Sequence, residues 1–315
     1  MILSDFIIEN ENGLYCEAGD FYLDPQLPVD RAVISHAHGD HAVPGNRRVF
    51  CTAPTAEIMK LRLGKNAGAA FEVHDYSARF SLNGVQVTFI SAGHILGSAQ
   101  VLLEYDGVRY LYTGDYKLQE DDTCLPAEFT GADVLITEST FAHPDTAHPS
   151  HVEEISKLNE HNHNILLGAY GLGKAQRLSR LISDHCPQRQ VLVHHSILPI
   201  HRLYEKFGFS VGRYEPYNRK LMKEPGRGYV YIVPPITFNN YFRARGVLRI
   251  FASGWKRLQQ QNDAELFISD HVDWADILKM VDLVKPKEIW TVHGNGKYLQ
   301  EKFAGTIPVK ALNPC

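Results

Sequence analysis

The run Ser35-His36-Ala37-His38-Gly39-Asp40-His41 puts four side chains able to bind a metal within six positions, directly after the apolar stretch Ala32–Ile34. Loops at strand ends are where a rigid sheet can aim several side chains at one point. The spacing of His36 and His38 lets both grip one ion, which leaves Asp40 and His41 to face a second. Imidazole together with carboxylate suits zinc and related first-row metals. Three later segments repeat the pattern of His or Asp beside glycine after an apolar stretch: Ala92-Gly93-His94, Thr113-Gly114-Asp115 and His293-Gly294. Each alone is an ordinary turn. Combined with the first run they make up a two-metal site, in which Asp115 can bridge because a carboxylate has two oxygens to share.

A further segment invites a different chemistry. Gly168-Ala169-Tyr170-Gly171-Leu172-Gly173-Lys174-Ala175 nearly matches a phosphate-binding P-loop, but Ala175 stands where the magnesium-binding hydroxyl would be. Nucleotide hydrolysis is therefore not expected here. Two readings remain open: a glycine turn that starts a helix, or Lys174 and free helix N–H groups holding a nucleic-acid phosphate.

The elements that must position these residues are legible in outline. Up to about residue 138 the pattern is many short strands bounded by turn residues, among them Ala32–Ile34, Val85–Ser91, Val101–Tyr105, Val108–Thr113 and Val134–Thr137. Asp106-Gly107 predicts a two-residue hairpin, and Thr55–Leu63 a short helix. Beyond residue 140 strands and helices alternate: strand Ile165–Ala169, helix Lys174–His185, strand Val191–His194 and helix Leu198–Phe207. Such alternation predicts a parallel sheet. Residues 208–228 read as loop, followed by strands Tyr229–Val233, Leu248–Phe251 and Glu265–Ile268. Helix Trp274–Val284, strand Glu288–Val292 and a C-terminal helix complete the chain.

Composition narrows the class. Of 315 residues, 44% are hydrophobic and 22% charged, which is globular and excludes collagen, coiled coil and wholesale disorder. No apolar run approaches the ~18–20 residues of a membrane span, so no membrane partner is expected. The acidic N-terminal stretch lacks a basic region before an apolar one, which points to a cytoplasmic protein. Five cysteines, Cys16, Cys51, Cys124, Cys186 and Cys315, are widely spaced and without a C-x-x-C pair, as in reduced intracellular proteins. The net charge of −4 is uneven: Ser139 to Leu258 holds 17 Lys+Arg against 8 Asp+Glu, inside an acidic frame. In that basic segment Tyr214, Tyr217, Tyr229, Tyr231, Tyr241 and Phe242 lie among Arg213, Arg219, Lys220, Arg227, Arg243 and Arg245. Basic groups could follow a phosphate backbone while aromatics stack bases, or the aromatics could be core and the charges a solvated face.

The ordered set His36-x-His38-x-Asp40-His41, His94, Asp115 and His293 resembles the ligand set of the metallo-β-lactamase superfamily. The resemblance implies that His36, His38 and His94 hold one ion and Asp40, His41 and His293 the other, with Asp115 bridging. The two would be divalent ions, zinc or manganese. Leu23-Asp24 resembles the family's first motif, whose Asp supports the metal-binding loop. Thr137-Glu138-Ser139-Thr140, Ser269-Asp270-His271-Val272-Asp273 and Val292-His293-Gly294 resemble motifs A, B and C of the β-CASP nuclease branch, in which Glu138 and His271 would be catalytic beside Asp115. Asp273 would then act from behind, and Ser139, Thr140, Lys174 and Arg177 would contact phosphate.

The implied architecture is α/β: an αββα sandwich from 1–140 plus 262–315, interrupted by a mostly parallel nucleic-acid-binding domain at 141–261. Within the branch, Ala92-Gly93-His94-Ile95-Leu96-Gly97-Ser98-Ala99, Gly173-Lys174-Ala175-Gln176-Arg177 and Ser269-Asp270-His271-Val272-Asp273-Trp274 are most similar to bacterial ligase-associated DNA exonucleases. That implies a DNA-repair exonuclease, with DNA favoured over RNA and a ligase or helicase as partner. His293 at motif C points the other way: Artemis-type DNA nucleases usually carry Val there, and RNA-processing members carry His. A small-molecule hydrolase of the glyoxalase II kind would share the metal residues but leaves Glu138, His271 and the basic insert unexplained. A non-catalytic binding subunit would typically lack metal ligands.

Overall fold

The computed structural model describes residues 1–224, 228–241, 246–260 and 262–312. Arg227, Phe242, Arg243, Arg245 and Cys315 lie outside the described residues. The chain forms two compact units. Unit 1 comprises Met1–Glu120, Leu125–Ala147 and His271–Cys315; unit 2 comprises Asp121–Cys124 and His148–Asp270.

Unit 1 begins with a sheet of β1 (Ile8–Asn10), β2 (Gly13–Cys16), β3 (Phe21–Leu23), β4 (Arg31–Val33), β5 (Arg48–Cys51) and β6 (Ala70–Val73), arranged in that order. Its second sheet opens with β7 (Arg79–Leu82), β8 (Val85–Ser91), β9 (Ala99–Tyr105), β10 (Val108–Tyr112) and β11 (Val134–Glu138). Asp106 and Gly107 join β9 to β10 with φ of 47° and 74°. This is the double left-handed geometry that a two-residue hairpin requires.

Unit 2 then supplies β12 (Asn164–Gly168), β13 (Gln190–Val193), β14 (Tyr214–Pro216), β15 (Tyr229–Val233) and β16 (Val247–Phe251). These form one parallel sheet in the order β14-β13-β15-β12-β16. The chain returns to unit 1 with β17 (Glu288–Val292) and β18 (Val309–Ala311), which extend the second sheet beside β11.

Alternation along the strands explains the layers. Val101 and Leu103 of β9 face a core shared with Leu14, Phe21, Leu23, Val33 and Phe50 of the first sheet. Leu102 points to the other side, where it joins Leu111, Leu135 and Ile289 against Ile277, Met280, Val281 and Val284 of the helix Trp274–Val284. The helix Ala53–Leu63 buries Ala56, Ile58 and Met59. The result is an α/β fold, helix-sheet-sheet-helix, with an inserted parallel α/β domain.

Two expectations are corrected. Glu265–Ile268 is not a strand. Its backbone bonds mainly to side chains instead: Phe267 N–H donates to Glu154 Oε2 (2.8 Å), Gln259 takes both the N–H and the carbonyl of Leu266 (3.1 Å each), and one backbone bond comes from Ser253 N–H to Leu266 O (3.2 Å). Residues 208–228 are not all loop. Tyr214–Pro216 pairs with β13 as an edge strand, where a proline is tolerated, and Arg219–Met222 forms a helical turn capped by the Asn218 side chain. Of the aromatics left open between base stacking and core, Tyr229 and Tyr231 are buried in the core of unit 2, and Tyr217 stacks on Tyr231 at 4.0 Å. Among the described residues no helix is long and apolar enough to cross a membrane.

Candidate metal centre

Five strand ends of unit 1 deliver the site. The loop after β4 carries His36, His38, Asp40 and His41. The loop after β8 carries His94, that after β10 carries Asp115, β11 ends on Glu138, and His293 follows β17. Two glycines allow the approach. Gly114 has φ +53°, and a Cβ there would lie 2.7 Å from Ser35 Oγ; Gly93 has φ +70°, and a Cβ there would lie 2.5 Å from Lys117 O. His293 itself adopts φ 57°. A left-handed histidine is strained, and it persists only where the surroundings over-determine it.

His36 Nε2 and His94 Nε2 each lie 3.0 Å from His38 Nδ1. That spacing fits nitrogens that share one ion at ~2.0–2.1 Å. His36, His38, His94 and Asp115 present ligand atoms within 4.8 Å of one another, and so do His41, Asp115 and His293. Asp115 Oδ2 stands between the groups, 3.4 Å from His41 Nε2, 3.7 Å from His36 Nε2 and 3.8 Å from His94 Nε2. Asp40 Oδ2 lies 3.8 Å from His41 Nε2, on a side chain that is 76% exposed.

The tautomers follow from the groups behind. Asp24 accepts from the Ser35 N–H (2.7 Å), the Ser35 hydroxyl (2.5 Å), the Tyr112 hydroxyl (2.9 Å) and His41 Nδ1–H (2.8 Å). A carboxylate cannot donate, so His41 Nδ1 carries a proton, and Nε2 is the atom that faces Asp115. Because Ser35 gives its proton to Asp24, it accepts from His36 Nδ1–H (3.0 Å), which frees His36 Nε2. Both are arrangements that orient metal-binding imidazoles. Burial and Asp24 push the Tyr112 hydroxyl pKa well up, which keeps it a donor.

Electrostatics agree with a cation-binding cluster. Burial pushes the pKa of His36 well below its ordinary value, and His41, His94 and His38 push it the same way, so it offers a neutral ring. Burial would raise the pKa of Asp115, but His41, His271 and His36 hold it well below the carboxylate range. Burial opposes charging of His41, yet Asp115 and Asp24 outweigh it. His41 Nε2 is nevertheless buried without a hydrogen-bond partner. Such an orphaned nitrogen facing a carboxylate fits a metal ligand, so the residues present suit the divalent ions that the ligand types imply.

Beside this cluster stands an ordered pair. His271 Nδ1–H donates to Glu138 Oε2 (2.8 Å), Glu138 Oε1 accepts the Tyr116 N–H (3.0 Å), and His271 Nε2 lies 3.8 Å from Asp115 Oδ2. Asp273 caps the helix Trp274–Val284 by accepting the Asp276 N–H (3.0 Å).

The expected phosphate contacts are placed differently. Lys174 and Arg177 are 4% and 1% exposed. Within unit 2, Lys174 Nζ bonds Ile268 O (2.6 Å) and pairs with Asp270 (3.2 Å). Arg177 bonds Ser269 O (2.6 Å) and pairs with Asp270 (3.3 Å) and Asp121 (3.6 Å). Their charges are engaged internally, which corrects the expectation that they hold phosphate. The glycine turn starts a helix, with Gln176 Oε1 accepting the Gly173 N–H (2.7 Å). Arg177→Met is expected to remove one buried counter-charge from Asp121 and from Asp270, which keeps Lys174, and to destabilise unit 2 by about 3–5 kcal/mol, read as a lower urea midpoint. Ser139 is also turned inward, its hydroxyl donating to Val292 O (3.0 Å), while Thr140 is half-buried.

Some supporting residues were missed from sequence. Ser35 adjoins the histidine run and could have been suspected. Tyr112 reads as an ordinary inward strand residue. Lys117, whose Nζ bonds His94 O (3.1 Å), carries no local signal.

A model of the beta-lactamase superfamily domain matches residues 21–195. The chain belongs to that superfamily. A protein of Opitutus terrae named a probable DNA ligase is 31% identical over 97% of this chain and 30% of its own length. An RNase J-like protein of Methanocaldococcus jannaschii is 32% identical over 55% of this chain and 48% of its own. Cleavage and polyadenylation specificity factor subunit 3 of Dictyostelium discoideum is 28% identical over 71% of this chain and 34% of its own. The chain thus spans under half the length of these curated relatives. A crystal structure of a protein of unknown function from Enterococcus faecalis superposes with a TM-score of 0.63 at 17% identity, covering 90% of this chain and 79% of that one, and supports the fold alone.

Proposed function

We propose that this protein is a two-metal phosphodiesterase acting on nucleic acid, and within that class a DNA exonuclease of repair. One observation carries the proposal: a single ionised carboxylate, Asp115, faces His36, His41, His94 and the Glu138-held His271 at 3.4–3.8 Å. The first group of nitrogens suits an ion held by His36, His38 and His94. His41 and His293, with Asp40, suit a second, and Asp115 serves both. The ions would supply positive charge that activates water and neutralises phosphate oxygens. His271, fixed through Nδ1 by Glu138, would pass a proton from Nε2 to the departing oxygen.

Asp24 would hold the ligand loop, so Asp24→Ala should weaken zinc binding about 10- to 100-fold. Titration against a chromogenic chelator measures this, and unchanged affinity would refute it.

DNA is favoured because the relative aligned over nearly the whole chain is a named DNA ligase, of which this chain matches under a third. A ligase or helicase would be the natural partner, and the basic insert, bounded near 141–261, would carry the polymer. Free cysteines fit a cytoplasmic protein. RNA is the second reading, favoured by His293 and by relatives named RNase J-like protein and endoribonuclease. The test is cleavage of matched single-stranded DNA and RNA, end-labelled at either terminus, with Mn²⁺ or Zn²⁺. Mononucleotide release from DNA alone is expected, and preferential RNA cutting would move the protein to RNA processing.

A further inference from the structure

Unit 2 concentrates exposed aromatic and basic side chains at one edge of its sheet. Gly168 pairs with both Val233 and Phe251, so β15, β12 and β16 end level with one another. The ladder continues one residue further: Ala169 N–H donates to Val233 O and Ala252 N–H to Gly168 O, both at 2.9 Å. On the other side of β15, His194 N–H donates to Ile232 O at 3.0 Å, so β13 ends alongside. Four loops therefore leave the sheet side by side, spaced by strands ~4.8 Å apart. They carry Tyr170 after β12, His194 and His195 after β13, Ile236 after β15 and Trp255 after β16.

Burial does not explain these side chains. Tyr170 is 52% exposed, Ile236 77% and Trp255 38%, whereas Ile165, Val230, Ile232 and Ile250 on the same strands are packed in the core. The crevice outside the carboxyl ends of the strands is where open parallel sheets receive ligands. The Lys, Arg, Asp and Glu side chains of these four loops are Lys256 and Arg257 alone, both cationic. Arg257 lies 5.1 Å over the Trp255 ring and Lys256 is exposed beside it. Residues 169–173, 194–197, 234–241 and 252–257 include no Asp or Glu. Exposed aromatic rings beside loop cations match the chemistry of a single strand, whose bases stack while its phosphates meet the charge.

We infer that the carboxyl edge of the unit 2 sheet is a base-stacking platform for single-stranded nucleic acid, with Tyr170 and Trp255 taking bases and Lys256 and Arg257 phosphate. The inference rests on the nucleic-acid reading above and names the residues that would receive the polymer.

The test uses the full chain with metal stripped by chelator, so no turnover is needed. An oligothymidylate of about 15 nucleotides is titrated while tryptophan fluorescence and the anisotropy of a label on the DNA are followed. Quenching is expected, with Kd weakened about 5- to 150-fold in Tyr170→Ala or Trp255→Ala and mostly restored in Trp255→Phe. Both positions are exposed, so the unfolding temperature should not change. An unchanged Kd in both alanine variants would overturn the platform. So would equal quenching by polyglutamate, which would mark the edge as a site for acidic protein. A chain that binds in this way but never cuts fails only the hydrolysis proposal. A chain that cuts DNA with unaltered Kd in the variants fails only the platform.

Discussion

Asp115→Ala is expected to lower phosphodiester hydrolysis by roughly 10³-fold or more and to reduce the metal bound per chain. Asp115 is the one carboxylate found in both imidazole groups, those of His36, His38 and His94 and of His41 and His293. His41, His271 and His36 hold its carboxylate ionised against burial. Removing it leaves several imidazoles facing one another without the charge that would balance a cation, and deletes the carboxylate that, among the described residues, both imidazole groups share. Asp115→Asn keeps the shape and removes the charge, so it should lose activity almost as completely while unfolding like the parent. Elemental analysis of the purified variants, run beside the hydrolysis assay, checks both halves. Full metal content with full activity in either variant would remove Asp115 from the centre.

His271→Ala is expected to behave differently: metal content unchanged, hydrolysis down about 10²- to 10⁴-fold. The Nδ1–H of His271 is committed to the fully buried Glu138, whose second oxygen is fixed by the Tyr116 N–H. That leaves Nε2 as the functional atom, on a side chain 28% exposed and therefore reachable by substrate. Glu138→Gln keeps an acceptor for the ring but removes the carboxylate charge behind it, so a smaller loss of activity is expected. Loss of one ion in His271→Ala would make it a ligand instead, and unchanged turnover would exclude it from the chemistry.

Local signals carried much of the fold. Helices Lys174–His185 and Trp274–Val284, and strands Tyr229–Val233 and Glu288–Val292, form where apolar spacing and flanking Gly, Pro or Asp indicate. The histidine run was visible because its ligands are neighbours in sequence as well as in space. What could not be read depends on distant partners. Lys174 looks like a phosphate-binding lysine until its partner, the Ile268 carbonyl 94 residues on, is placed. Glu265–Ile268 has strand-like residues, but Glu154 and Gln259 take the hydrogen bonds a neighbouring strand would have taken. Tyr112 has the pattern of a core tyrosine and is one, buried with the sheet-facing residues, yet its hydroxyl reaches Asp24, 88 residues earlier. The β18 strand is three residues long and was not expected, because its pairing with β17 defines it more than its composition does.

The central claim, a metal-dependent phosphodiesterase centred on Asp115, is tested most directly by one titration. Purified chain is stripped of metal and reloaded in steps with Mn²⁺ or Zn²⁺, and cleavage of end-labelled single-stranded DNA and RNA is followed against metal bound per chain. Cleavage that rises to a maximum near two ions per chain, and is absent in Asp115→Ala at every loading, is the predicted result. A fully loaded protein that cuts neither polymer, or an Asp115→Ala variant that cuts as well as the parent, would contradict it.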